Sequence, residues 1–215
     1  MYYTNMGNLI KYSSQDMIIN HRIYSGYLLL GLDDGWSTHD KQENFKILLE
    51  ITGLTKTPIR NATILDIGCG TGDFVHILAD KDIREYVGID VFEPAIEKAR
   101  HKYPKHKFIV GDFLKHNFRK KFDFVFCSGA LTTNLETNNY NMLESWIPKM
   151  WSLSKQGVAF NFLIDNGLGA GELFFYDSQR VLEICKLQIP QAKIKTTMTN
   201  AGLGNVLQEM HVFLY

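Results

Sequence analysis

The stretch ILDIGCGTGDF, Ile64 to Phe74, constrains this chain more than any other. An apolar run breaks into glycines at 68, 70 and 72 and re-emerges as FVHILAD, whose apolar positions fall at helical spacing. That order reads as a buried strand, a tight turn and a helix in direct succession. The unit recurs. EYVGID is a second short β-branched run, closed by Asp90, and PAIEKARHKY after it reads as a helix with Pro94 in its first turn. KFIVGD, FDFVFCSG and GVAFNFLI are further strand signals, and Leu143, Trp146, Ile147, Met150 and Trp151 mark the core face of a helix before the last of them. SQRVLEICK is a helix, and AKIKTTMT and VLQEMHVFLY are the final strands. Ahead of all this, STHD resembles a capping box for a helix carrying Phe45, Leu48 and Leu49, with Gly53 as its stop signal. Strands alternating with helices over most of the chain predict an α/β fold: an open, mainly parallel sheet of seven strands with helices on both faces.

In such sheets ligands sit beyond the carboxyl ends of the strands, so the residues that end strands carry the chemistry. Glycine lets a ligand approach the backbone without meeting a Cβ, which makes the turn a surface for close contact. A dinucleotide is the first candidate, but its G-x-G-x-x-G motif wants a glycine where this chain has Asp73, and a carboxylate in the first helical turn repels a pyrophosphate. Asp90 closes the second strand, where a carboxylate accepts from both hydroxyls of a ribose. Asp112 closes the third, where it accepts from an exocyclic amine while the ring of Phe113 packs on a purine. Together they describe a pocket for an adenosine without phosphates.

These stretches, ILDIGCGTGDF, YVGIDVFEPAIEKAR, FIVGDFL and FDFVFCSGAL, resemble the successive motifs of the class I S-adenosylmethionine-dependent methyltransferases, over about Ile59 to Tyr215. The resemblance implies a Rossmann-like sheet whose last strand is antiparallel, and S-adenosylmethionine as cofactor. It implies that Asp66, Gly68, Cys69, Gly70 and Gly72 lie against the methionine part, that Asp90 holds the ribose, and that Val91 touches the adenine. Asp112 and Phe113 would read the adenine edge, and Cys127 and Ser128 would line the wall near the sulfonium.

The acceptor side is less determined. The segment CSGALTTN after the fourth strand lacks the Asn/Asp-Pro-Pro-Tyr of relatives that methylate adenine or glutamine nitrogens, and it carries no acid or histidine. Oxygen, as hydroxyl or carboxylate, is therefore favoured over nitrogen, on a small molecule or peptide. Residues 1–58 are expected to form a helical cap on a cofactor domain spanning 59–215, with GLDDGWSTHDKQENFKILLEI resembling the corresponding region of a bacterial branch of the family. His21, Tyr24 and Tyr140 are candidates for a catalytic role, and Trp36, Ser128 and Tyr140 for the substrate side. NGLGAGELFFYD is a candidate lid. A cofactor-binding subunit without chemistry is the alternative, and a nicotinamide oxidoreductase a lesser one.

Composition excludes other classes. Twenty-three basic and 23 acidic residues give zero formal charge, which argues against nucleic acid as partner, and the runs RHKYPKHK and KHNFRKK precede strands, at the edge away from the predicted ligand. No apolar run is long enough for a membrane span. Three dispersed cysteines and scattered histidines fit reduced thiols in a cytoplasmic protein and no metal site. A monomer or homodimer is expected, or one domain of a larger enzyme.

Overall fold

The structure, a computed structural model, describes residues 22–26, 38–135, 138–165, 171–201 and 207–215. Strand β1 (Thr63–Ile67) is buried at all five positions, as its run of apolar residues requires. It pairs in parallel with β2 (Glu85–Asp90) on one side and β4 (Phe122–Cys127) on the other. Outward from these lie β3 (Lys107–Val110) and β5 (Ser154–Leu163), also parallel. The last strand, β7 (Leu207–Leu214), inserts antiparallel between β5 and β6 (Ile194–Ala201), giving the order β3-β2-β1-β4-β5-β7-β6. All seven expected strands are present, with the antiparallel last strand that the resemblance implied.

Two apolar cores follow from period-two alternation along these strands. Leu65, Ile67, Val87, Val125 and Val212 face helices α6 (Asn139–Leu153) and α7 (Ser178–Gln188), which contribute Leu143, Ile147, Met150, Val181 and Ile184. The opposite parity, Ile64, Tyr86, Phe124, Phe126 and Phe213, faces helices α2 (Thr38–Leu48), α4 (Asp73–Leu78) and α5 (Glu93–Lys102). Helix starts follow local chemistry: the side chains of Asn138 and Asp177 cap α6 and α7, accepting from backbone N–H groups one turn in, and Pro94 sits in the first turn of α5.

The helix expected to stop at Gly53 breaks earlier, at residues 49–50, and Gly53 lies inside a short helix α3 (Ile51–Thr55) that ends on Lys56 in the left-handed region at φ 54°. Burial overrides the glycine: Leu48 and Ile51 are fully inaccessible beneath β5, and Gly157 leaves room for the Ile51 side chain. Phe45, Leu48 and Ile51 thus belong to the same core as β1, β4 and β7. The remaining described part of residues 1–58 includes a helical segment α1 (22–26). Among the described residues no helix is long and apolar enough to cross a membrane.

Candidate functional site

A cleft opens above the carboxyl ends of β1 to β4, floored by the glycine turn and walled by α1, α2 and the segment after β4. The turn's glycines serve different ends. At Gly68, φ +70°, a Cβ would overlap that of Ala130 from the segment after β4, so glycine here permits close packing of two strand ends. At Gly70, φ +50°, a Cβ would meet nothing within 4 Å, so this glycine holds open space in the cleft floor. Gly72 is turned away: its neighbours are the rings of Phe108 and Tyr103, and it does not line the cleft. Of the three glycines expected against a cofactor, Gly68 and Gly70 line the cleft and Gly72 does not.

Acids follow the strand ends. Asp66, buried within β1, accepts from the Tyr86 hydroxyl at 2.5 Å, and burial pushes its carboxyl up to about 7 against the opposing effect of that bond. Asp90 Oδ2 accepts from Gly70 N–H and Oδ1 from Phe92 N–H, both at 2.9 Å, which ties the end of β2 to the turn. Asp112 Oδ1 accepts from Leu114 N–H at 2.8 Å. Its Oδ2 is buried without a hydrogen-bond partner, with Lys115 Nζ at an ion-pair distance of 3.4 Å. A buried acceptor left unmade costs about 1–3 kcal/mol, so it marks a place where a ligand donor is wanted.

Asp73 has a different role from the one expected. Lys41 and Lys102 pair with its two oxygens at 2.7 and 2.9 Å. Burial alone would raise its carboxyl, but these two ammonium groups hold it below the ordinary value. The charge argument against a pyrophosphate therefore fails at this residue.

At the other end of the cleft, β7 brings in polar residues on its buried face. Glu209 is fully inaccessible, lines the cleft, and has no hydrogen-bond partner on either carboxylate oxygen. Burial pushes its carboxyl up to about 7, opposed by the neighbouring amides of Asn44 and Asn161 and reinforced by Asp40. Asn161 Oδ1 accepts from Gly129 N–H at 3.0 Å, which leaves its Nδ2 unpartnered. His211, two residues along β7, has Nε2 2.9 Å from Asn44 Oδ1, and burial pushes its imidazole down to about 4. The Thr197 backbone opposes the effect of burial on the ring, and Nδ1 makes no hydrogen bond of good geometry.

Of the residues expected from sequence, Asp66, Gly68, Cys69, Gly70, Asp90, Val91, Asp112, Phe113, Ser128 and Tyr24 all line this cleft. Tyr24, on α1, has its ring 5.9 Å from that of Phe92. Three do not reach it. Gly72 packs on Phe108. Cys127 is wholly inside the α6 core, and burial raises its thiol. Tyr140 is locked in an aromatic cluster with Phe174 and Tyr176, its ring under the Arg180 guanidinium and its hydroxyl accepting from Asp177 N–H at 2.9 Å. His21 and Trp36 lie outside the described residues, as does part of the expected lid, residues 166–170. Trp146, expected as core, lines the cleft with its ring centroid 5.3 Å from that of Phe113. Asn44, Lys41 and Glu209 were missed. Glu209 did carry a signal: a carboxylate two residues before a histidine, on the parity of β7 that must be buried.

The sequence profile of a methyltransferase-domain family matches residues 59–199. Comparison with curated proteins finds no match. Among solved structures, the chain is similar to the magnesium protoporphyrin IX methyltransferase ChlM of Synechocystis PCC 6803 with bound SAM, at TM-score 0.70 and 15% identity over 95% of this chain and 99% of that one. It is similar to the N-methyltransferase NodS of Bradyrhizobium japonicum WM9 in complex with S-adenosyl-l-homocysteine, at TM-score 0.67 and 18% identity over 89% and 97%. The amino pentose methyltransferase CalS10 of Micromonospora echinaspora, with bound SAM, follows at TM-score 0.60 and 15% identity over 88% and 97%. At these identities the structural likeness shows the fold.

Proposed function

We propose a reaction for this chain from the premise that it belongs to the methyltransferase-domain family: it transfers a methyl group from S-adenosylmethionine to a small-molecule or peptide acceptor. The observation that carries the cofactor reading is the pairing of an open cleft floor at Gly70 with the buried Oδ2 of Asp112 after β3, which makes no hydrogen bond and has the Lys115 ammonium 3.4 Å away. These fit an adenosine whose exocyclic amine donates to Asp112 and whose chain passes over Gly70.

Asp90, which lines the cleft where β2 ends, would hold the ribose hydroxyls as a charged acceptor. Asp66, anchored by Tyr86, would face the amino end, and Val91, Phe113 and Trp146 would enclose the adenine. When bound, the cofactor supplies a methyl group on a sulfonium sulfur, which keeps the bonding pair as the methyl passes to a lone pair on the acceptor. The chain's part is to hold the acceptor in line and keep the site dry. Ser128 to Ala130 and Tyr24 on α1 form walls suited to that.

The sequence favours an oxygen acceptor because the turn after β4 lacks a base. That premise weakens here, since Glu209 brings a carboxylate to the same cleft from β7. A carboxylate acceptor would meet it as a like charge, so an acceptor that arrives carrying a proton is the better fit. The fold is no obstacle to nitrogen, since the NodS protein is named an N-methyltransferase. Three free, buried thiols, Cys69, Cys127 and Cys185, are in keeping with a reducing, cytoplasmic compartment.

The test is release of S-adenosylhomocysteine from S-adenosylmethionine in the presence of acceptor sets bearing hydroxyls, carboxylates or amines. Turnover with one set is expected. Tight binding of the cofactor with no turnover on any set would favour a cofactor-binding subunit instead.

A further inference from the structure

We propose that Glu209 is the acceptor-binding carboxylate of the cleft, and that the group it receives is an amine of the acceptor, which gives its ammonium proton to Glu209. This rests on the methyltransferase reading above.

The strand order lays the acids along one edge of the sheet: Asp112 after β3, Asp90 on β2, Asp66 on β1, and then, three strands beyond β1, Glu209 on β7. The cofactor reading uses the first three, at one end of the cleft. Glu209 stands at the other end, past the segment after β4, where the acceptor must enter if it is to approach from the far side of the cofactor.

A purely structural role does not account for it. Buried or half-buried carboxylates that brace this fold are engaged: Asp66 by the Tyr86 hydroxyl, and Asp123 by the Thr63 backbone and side chain. Glu209 has no hydrogen bond of good geometry on either oxygen; the amides of Asn44 and Asn161 stand beside it and lower its carboxyl through hydrogen bonding too weak to offset its burial. Asn161 Nδ2 and His211 Nδ1 are unpartnered in the same cluster. A site with this many unmet buried polar atoms, opening into a cleft, is built for a polar ligand. Among the described residues the lysine that lines the cleft, Lys41, is ion-paired with Asp73.

The ligand's chemistry follows from charge. An ammonium neutralises the carboxylate and offers several N–H donors, where a hydroxyl offers one and a carboxylate offers none. An amine must also lose a proton before its nitrogen can act as nucleophile. One N–H bond breaks, its electron pair stays on nitrogen, and the proton goes to a Glu209 oxygen; an ion pair becomes two neutral groups, which a dry site favours. Burial holds Glu209 at a pKa of about 7, far closer to an alkyl ammonium of roughly 10 than to an alcohol, so proton transfer is matched for the amine.

The experiment titrates the protein, saturated with S-adenosylhomocysteine, with benzylamine, benzyl alcohol and benzoate, following binding by nuclear magnetic resonance on the wild type and on Glu209→Gln. Saturable benzylamine binding is expected, at least tenfold tighter than benzyl alcohol, with no benzoate binding. Glu209→Gln should lose the preference for benzylamine while keeping its affinity for S-adenosylhomocysteine within about twofold. Should that variant fold poorly, Glu209→Asp, which keeps the charge on a shorter stem, should retain the amine preference in weakened form. Benzoate binding as well as benzylamine, amine binding unaffected by Glu209→Gln, or no binding of any probe would overturn the proposal. Failure of S-adenosylhomocysteine itself to bind the wild type would overturn the methyltransferase reading, a separate outcome.

Discussion

The two ends of the cleft are built by opposite rules. Where β1 and β2 end, most polar groups are tied into the fold: Asp66 to Tyr86, Asp90 to Gly70 and Phe92, and Gly68 packed against Ala130, while Thr71 Oγ1 and Asp112 Oδ2 are buried without a hydrogen bond. At the β7 end, Glu209, Asn161 and His211 leave four buried polar atoms unpartnered in one cluster. The first arrangement is a rigid mould, suited to a ligand that is the same in every turnover. The second stores unfavourable desolvation that a particular ligand relieves, which is how selectivity for an N–H or O–H group arises.

The contrast can be broken most forcefully at Gly68. Gly68→Ala puts a Cβ into that of Ala130 and a left-handed backbone on a non-glycine residue, and should destabilise the protein by roughly 2–5 kcal/mol, seen in chemical denaturation. A loss under about 1 kcal/mol would mean that this end is not tightly packed.

At the other end the sign reverses. Glu209 has its folded carboxyl raised from 4.5 to about 7, so between those values the folded chain keeps a proton that the unfolded chain has released. Stability linked to this group is present below pH 4.5 and is lost as pH rises through 7, to an extent on the order of 3 kcal/mol. Glu209→Gln removes the loss. Denaturation from pH 4 to 8 should therefore show the variant gaining on the wild type as pH rises; His211 is common to both proteins and largely cancels. A constant difference across that range would mean that Glu209 is already paired.

A smaller effect separates the glycines. Gly70→Ala meets no atom and should cost only about 1 kcal/mol of stability through its positive φ, yet it places a methyl in the cleft floor and should weaken S-adenosylhomocysteine binding at least tenfold. Unchanged binding would move the cofactor off this turn.

What could be read from sequence was what is local. Strand and helix periodicities, and the acids that close β2 and β3, are properties of single segments, and they placed Asp90 and Asp112 at the cleft before any contact was known. Contacts between distant segments were not legible. Nothing in ILDIGCGTGDF says that Gly68 meets Ala130 while Gly72 meets Phe108, or that Lys41 reaches Asp73 from α2. Tyr140 was a candidate for the acceptor side from sequence; only the fold shows its hydroxyl accepting from Asp177 N–H. Glu209 was hidden because its significance depends on β7 slipping between β5 and β6, which sets Asn161 and the α2 residue Asn44 around it.

The central claim, a cofactor end and an acceptor end in one cleft, is tested most directly by calorimetric titration of S-adenosylhomocysteine into the wild type, Asp90→Ala and Glu209→Gln. Binding to the wild type, a loss of about 1.5–3 kcal/mol or ten- to a hundredfold on Asp90→Ala, and no more than a twofold change on Glu209→Gln is the predicted pattern. No binding to the wild type, or equal losses in the two variants, would contradict it.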